Sequence, residues 1–141
     1  MARSRLLIAV SSPWASERLT QPIADISRRL DADVLVAHVA QLREEDEDES
    51  DAKQRGEQTL KLLVDSLREK KVEADAVMLF SDDIAKAILS TATARDCTLI
   101  VLGLTHKSRW QRLIAGDIPG SILRASPIPV LLCPADWTGA I

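Results

Sequence analysis

The sequence predicts an α/β domain on a single doubly wound, open parallel sheet, and three observations lead there. Five short aliphatic runs alternate with helical patterns along the 141 residues. Three of those runs are almost unbroken in apolar residues, as expected of parallel strands covered on both faces. Apolar residues make up 46% of the chain and aromatics only 3%, so the core must be filled by Leu, Ile, Val and Ala, which favours α/β architecture.

The first strand is expected over Leu6–Val10, followed by a turn-like Ser-Ser-Pro and a helix whose stripe is Leu19, Ile23, Ile26 and Leu30. A second strand over Val34–Val39 precedes a helix striped by Leu60, Leu63, Val64 and Leu67. The third strand is placed at Val72–Phe80, with Asp82 and Asp83 capping a helix over 84–94 that presents Ile84, Ile88 and Leu89. The fourth strand, Thr98–Gly103, leads through a long loop to a short helix at about Ile118–Ala125, closed by Pro127 and Pro129. The fifth is Pro129–Cys133. The resulting order βαβαβαβαβ is that of one doubly wound sheet of five strands with about four helices.

The chain is expected to be one domain over residues 1–141, long enough to bury a core without staples. Net charge is -3, yet the run Glu44–Asp51 holds seven of the 21 acidic residues, leaving 14 against 18 basic ones elsewhere. The body is thus mildly basic, and the span 40–52 is expected to be an acidic, mobile loop. Such a run repels nucleic acid and the bases are scattered, so DNA or RNA binding is not expected. No run approaches a membrane span, and Leu6–Val10 is too short for a signal peptide. Cys97 and Cys133 have no CxxC spacing and no clustered His, which points to free thiols in a cytoplasmic protein, without a disulfide framework or a metal site. His38 likewise lacks companions as a metal ligand.

The stretch Leu102–Pro129, LGLTHKSRWQRLIAGDIPGSILRASPIP, joins the last two strands through a loop bounded by Gly103 and Gly116. A glycine-bounded loop ending at a helix N-terminus presents backbone N–H groups and the positive end of the helix dipole, a cradle for phosphate. No Ser-His-Asp, paired-carboxylate or nucleophilic-Cys constellation can be placed on this layout, so no catalytic residue is assigned.

TLIVLG, the loop, Gly116, the short helix and PIPVLLC together resemble the universal stress protein family, as do RLLIAV and ADVLVAHV near the start. The resemblance implies strand order 3-2-1-4-5, a cytoplasmic homodimer and an adenine-nucleotide site, for ATP or AMP, where strands 1 and 4 part. It places that site at Ala9, Ser11, Val39, Leu102, Gly103, His106, Lys107, Gly116, Asp117 and Ile118, with Val39 offering backbone groups to a base. It places the dimer seam along the edge strand, at Val130, Leu131, Leu132 and Cys133. An uncovered aliphatic edge invites such pairing.

Three positions depart from the pattern of ATP-binding members. His106 stands where a second glycine belongs, Asp117 follows Gly116 where the pattern has Ser or Thr, and Ser11 stands where an Asp usually contacts the adenosine. His106 adds a side chain where the backbone should approach phosphate, although protonated His beside Lys107, Arg109 and Arg112 suits an anion. Asp117 suits a helix cap, where its carboxylate would take the phosphate's place, and Pro119 removes one N–H donor. The expected function is therefore binding and signalling in the stress response with weakened or lost ATP binding. The alternative is a nucleotide sensor that keeps ATP or AMP in the same crevice. Weak nucleotide hydrolysis would need a metal-holding acid, and a phospho-receiver reading is set aside because Ser11-Ser12 stand where its acids are required.

Overall fold

The computed structural model describes residues 3–10, 13–40, 49–103, 118–134 and 137. Its elements are β1 (Arg5–Ala9), α1 (Pro13–Leu30), β2 (Asp33–Ala40), α2 (Glu49–Glu69), β3 (Ala74–Phe80), α3 (Ile84–Ala94), β4 (Leu99–Gly103), α4 (Ile118–Ala125) and β5 (Val130–Cys133). The strands form one sheet in the order β3-β2-β1-β4-β5, parallel at every junction.

Period-two alternation divides the core between the two faces of the sheet. Leu6 and Ile8 of β1 point to the side covered by α1 and α2, where they meet Leu19, Ile23, Leu60, Leu63 and Leu67. Leu7 points the other way, toward Ile88 of α3 and Ile122 of α4. Ile8, Leu63, Ile100 and Ile122 are fully buried, each worth about 1.5–3 kcal/mol of transfer free energy. One buried polar contact ties the first layer together: Ser16 Oγ donates to Thr59 O at 2.9 Å, from α1 to α2.

Three helices stop in the same way without glycine. Asp31, Lys71 and Asp96 adopt positive φ of 50°, 63° and 56°. The residues after them return a hydrogen bond to the helix: Ala32 N to Ser27 O, Val72 N to Leu67 O and Cys97 N to Ala92 O, each at 2.9–3.0 Å. This is the Schellman arrangement, with the buried apolar residue that usually accompanies it. It explains why β3 begins at Ala74 and not at the expected Val72. Val72 is apolar because it closes α2, not because it extends the strand.

Two further expectations are corrected. Leu30, assigned to the buried stripe of α1, is 45% exposed, since it lies at the last residue of the helix, beyond the sheet-covered stretch. The span 40–52 is not all loop: Ala40 ends β2, and residues 49–52 already belong to α2. Exposed Asp51 in the first turn suits the positive end of the helix dipole, so acidic residues there favour helix. Residues 41–48 lie outside the described residues. Asp83 caps α3 as expected, its carboxylate accepting from Lys86 N at 3.0 Å.

Candidate functional site

In a sheet of this order β1 is the switch point: the connection after it leads to β2 on one side, while β4 lies on the other. Ligands of such folds bind beyond the carboxyl ends of the strands at that point. The ladder between β1 and β4 ends at Ala9↔Leu102, and Gly103 pairs with Cys133 of β5. Ala9, Leu102, Gly103 and Val39 therefore stand together at the carboxyl edge of three neighbouring strands. Ile118 opens α4 and is 38% exposed. Ser11, His106, Lys107, Gly116 and Asp117 lie outside the described residues.

The end of β1 is built in an unexpected way. Paired residues run from Arg5↔Asp33 to Ala9↔Ala37, and Val10 N donates one more rung to Ala37 O at 3.0 Å. In a regular parallel ladder the next rung would carry the Val39 amide to Val10 O. Instead the His38 ring reaches Val10 O, its Nδ1 at 2.8 Å. Facing a carbonyl, Nδ1 must carry the proton and donate. Among the described residues, no β1 residue pairs with Val39, whose side chain is half-buried.

Two glycines owe their place to close packing. A Cβ on Gly103 would lie 2.9 Å from Leu19 Cδ1, so α1 leans on the end of β4 at the mouth of the crevice. A side chain at position 103 would make Leu19 shift, whatever a phosphate would require on the other side. A Cβ on Gly56, inside α2, would lie 2.6 Å from His38 Cδ2 and 2.5 Å from Met78 Cε. The niche that seats the His38 ring exists because residue 56 has no side chain. The sequence places His38 beside Val39 in the family's HV pair and gives it no metal-binding companions, but does not show its bond to Val10 or its packing on Gly56; a glycine inside a helical pattern is the available signal.

Among the described residues neither thiol suggests a nucleophile: Cys133 ends β5 at the carboxyl edge, and Cys97 precedes β4 at the opposite edge. Burial pushes the Cys133 thiol above its ordinary value, and Cys97 is also raised by burial, with Arg5 and Arg95 acting against the rise. Protonated thiols are poor nucleophiles and poor metal ligands. Among the described residues no group of three or more His, Cys, Asp or Glu side chains could hold a metal ion. No helix among them is long and apolar enough to cross a membrane.

The chain matches the universal stress protein family over residues 2–134. It belongs to that family. Comparison with solved structures gives the same fold: a universal stress protein from Archaeoglobus fulgidus superposes with a TM-score of 0.74 at 20% identity, covering 92% of each chain. The universal stress protein from Archaeoglobus fulgidus in complex with dAMP gives 0.71 at 19% identity, over 94% of this chain and 98% of that one. A family protein from Arabidopsis thaliana with AMP bound gives 0.71 at 17%, over 94% and 92%. No curated protein matches the chain.

Proposed function

We propose that this family member is a non-catalytic, adenine-nucleotide-responsive protein that receives the base end of its ligand between β1 and β4 and holds a triphosphate weakly. The observation that supports the base end is the early stop of the β1–β2 ladder, which leaves the Val39 backbone facing the crevice without a β1 partner. Relatives of the same fold have been seen with dAMP, AMP and cAMP, all nucleoside monophosphates.

Residue identities in the loop after Gly103 disfavour a triphosphate. A carboxylate at Asp117 and a phosphate about 4 Å apart would repel by roughly 4 kcal/mol per charge pair at an effective dielectric near 20. That is about half of the roughly 8 kcal/mol behind a micromolar affinity, and the charges of Lys107, Arg109 and Arg112 would act against it. His106 further takes up space where the backbone would approach the phosphates.

Calorimetry with AMP and ATP on the wild type and Asp117→Ser tests this reading. The wild type is expected to bind AMP more tightly than ATP, and the serine variant to gain at least tenfold for ATP and less for AMP. Micromolar ATP binding by the wild type, unchanged in Asp117→Ser, would sink it. The chain is further proposed to act as a cytoplasmic homodimer in the stress response, through the half-buried edge residues Val130, Leu131 and Leu132 of β5, with Cys133 behind them. Sedimentation at micromolar concentration should give a dimer, and Leu132→Asp a folded monomer. A wild-type monomer under those conditions removes the dimer.

A further inference from the structure

We propose that His38 is a positioning residue for base recognition, which keeps the Val39 amide available to a ligand by occupying the carbonyl that the amide would otherwise bond. The inference deepens the proposed nucleotide reading and rests on it for the identity of the ligand. It rests on geometry for the role of His38.

Three observations converge. The Val10 N–H still pairs with Ala37 O at 3.0 Å, so β1 is in register with β2 up to Val10 and its carbonyl lies within one rung of Val39. That carbonyl accepts from His38 Nδ1 at 2.8 Å, a good hydrogen bond with a side chain in place of a backbone donor. The ring is held in place by close packing, since Gly56 leaves room for Cδ2 that any Cβ would fill to 2.6 Å.

A carbonyl oxygen can accept two hydrogen bonds, yet Val10 O takes the ring's and, among the described residues, none from the Val39 amide. With the ring on Val10 O, the carbonyl is satisfied and β1 can leave the sheet toward α1 without an orphaned group. The Val39 amide then faces the crevice, where a purine ring nitrogen can accept from it. With the ring removed, the lowest-cost repair is for Val10 O to take the Val39 amide and extend the ladder by one rung. Specificity for a base would fall while the phosphate end was untouched. The ring's own donor atom is the one feature that distinguishes this role from plain filling of the niche.

The full-length chain can be examined by amide hydrogen exchange and heteronuclear NMR, comparing wild type, His38→Leu, His38→Asn and Gly56→Ala, with AMP and ribose 5-phosphate as probes. In the wild type the neutral His38 ring should be the Nδ1–H tautomer, and the Val39 amide should exchange at least about tenfold faster than that of Ala37. His38→Leu should slow Val39 exchange about tenfold and weaken AMP about five- to tenfold, with ribose 5-phosphate affinity unchanged. His38→Asn, whose amide can reach the same carbonyl, should restore both, and Gly56→Ala, which displaces the ring, should mimic His38→Leu. An Nε2–H tautomer in the wild type overturns the proposal without any variant, so misfolding of a mutant leaves it testable. Equal Val39 exchange in wild type and His38→Leu also overturns it, as does equal loss of AMP and ribose 5-phosphate affinity. If AMP leaves the wild-type Val39 resonance unmoved, the nucleotide reading fails on its own, and the exchange comparison still decides the role of His38.

Discussion

Among the described residues, the two helical layers cover the same sheet with unequal means. α1 and α2 span 18 and 21 residues, α3 and α4 only 11 and 8. The long layer buries Leu19, Ile23, Leu60, Leu63 and Leu67, and adds the Ser16–Thr59 hydrogen bond between its helices. In the short layer Ile88 and Ile122 are the large residues from the helices that are fully or almost fully buried, while Ile118 and Leu123 of α4 remain exposed. The difference separates two duties. The long layer fixes β1 and β2, including the His38 niche, whereas the short layer covers the other face, beside β4 and the edge strand β5.

Truncating one fully buried side chain in each layer measures how the two differ in rigidity. Leu63→Ala should cost about 3–5 kcal/mol, because long helices on a sheet collapse poorly into the cavity. Ile122→Ala should cost nearer 2–3 kcal/mol, as an eight-residue helix with exposed neighbours can shift to close the gap. Denaturant unfolding measures both, and equal losses would mean that the layers do not differ in rigidity.

A smaller effect sharpens the same contrast. α3 starts on a single capped residue, and Asp83→Ala should cost about 1 kcal/mol by leaving the Lys86 amide without its carboxylate. Because α3 packs on α4 at the thin side, the loss should appear in local hydrogen exchange of α3 and α4 and leave α1 and α2 unchanged. Uniform loss of protection would contradict it.

The smallest effect concerns the two thiols, one in each half of the core. Burial raises both above the ordinary value of 9.0, so the folded chain holds its protons longer than the unfolded one. Below about pH 9 both states are protonated and the thiols add no pH dependence. Above it the unfolded state binds fewer protons, so stability should fall with rising pH, and the fall should be shallower when both cysteines are replaced by alanine. Cys97, whose rise is opposed by Arg5 and Arg95, should react with a thiol reagent before Cys133 at pH 9. The reverse order would show that access, not charge, controls them.

Most of the fold was legible because its signals are local. Aliphatic runs marked all five strands, and the stripe Leu60, Leu63, Val64 and Leu67 marked α2 because each is buried on one helical face. The errors also have local causes. Val72 reads as strand because a Schellman stop also demands an apolar residue, and its αL position is filled by Lys71, which does not advertise a turn as glycine would. Leu30 reads as core because periodicity does not record where a helix outruns the sheet. The carboxyl-edge placement of Ala9, Val39, Leu102 and Gly103 was foreseeable from family spacing, whereas the reasons for two glycines were not, since Leu19 and His38 meet them across long separations in sequence.

By itself, the sequence determined the strand and helix alternation and the division into apolar strands and amphipathic helices, since both depend on residue identity and short-range period. Only the tertiary structure decided which backbone groups at the switch point are spent and which are free. Val10 O lies 28 positions from the His38 ring that binds it, and no local pattern encodes that choice. It follows from the end of the β1–β2 ladder at Val10, from the space that Gly56 leaves beneath the ring, and from the ring's bond to Val10 O, which among the described residues takes none from the Val39 amide.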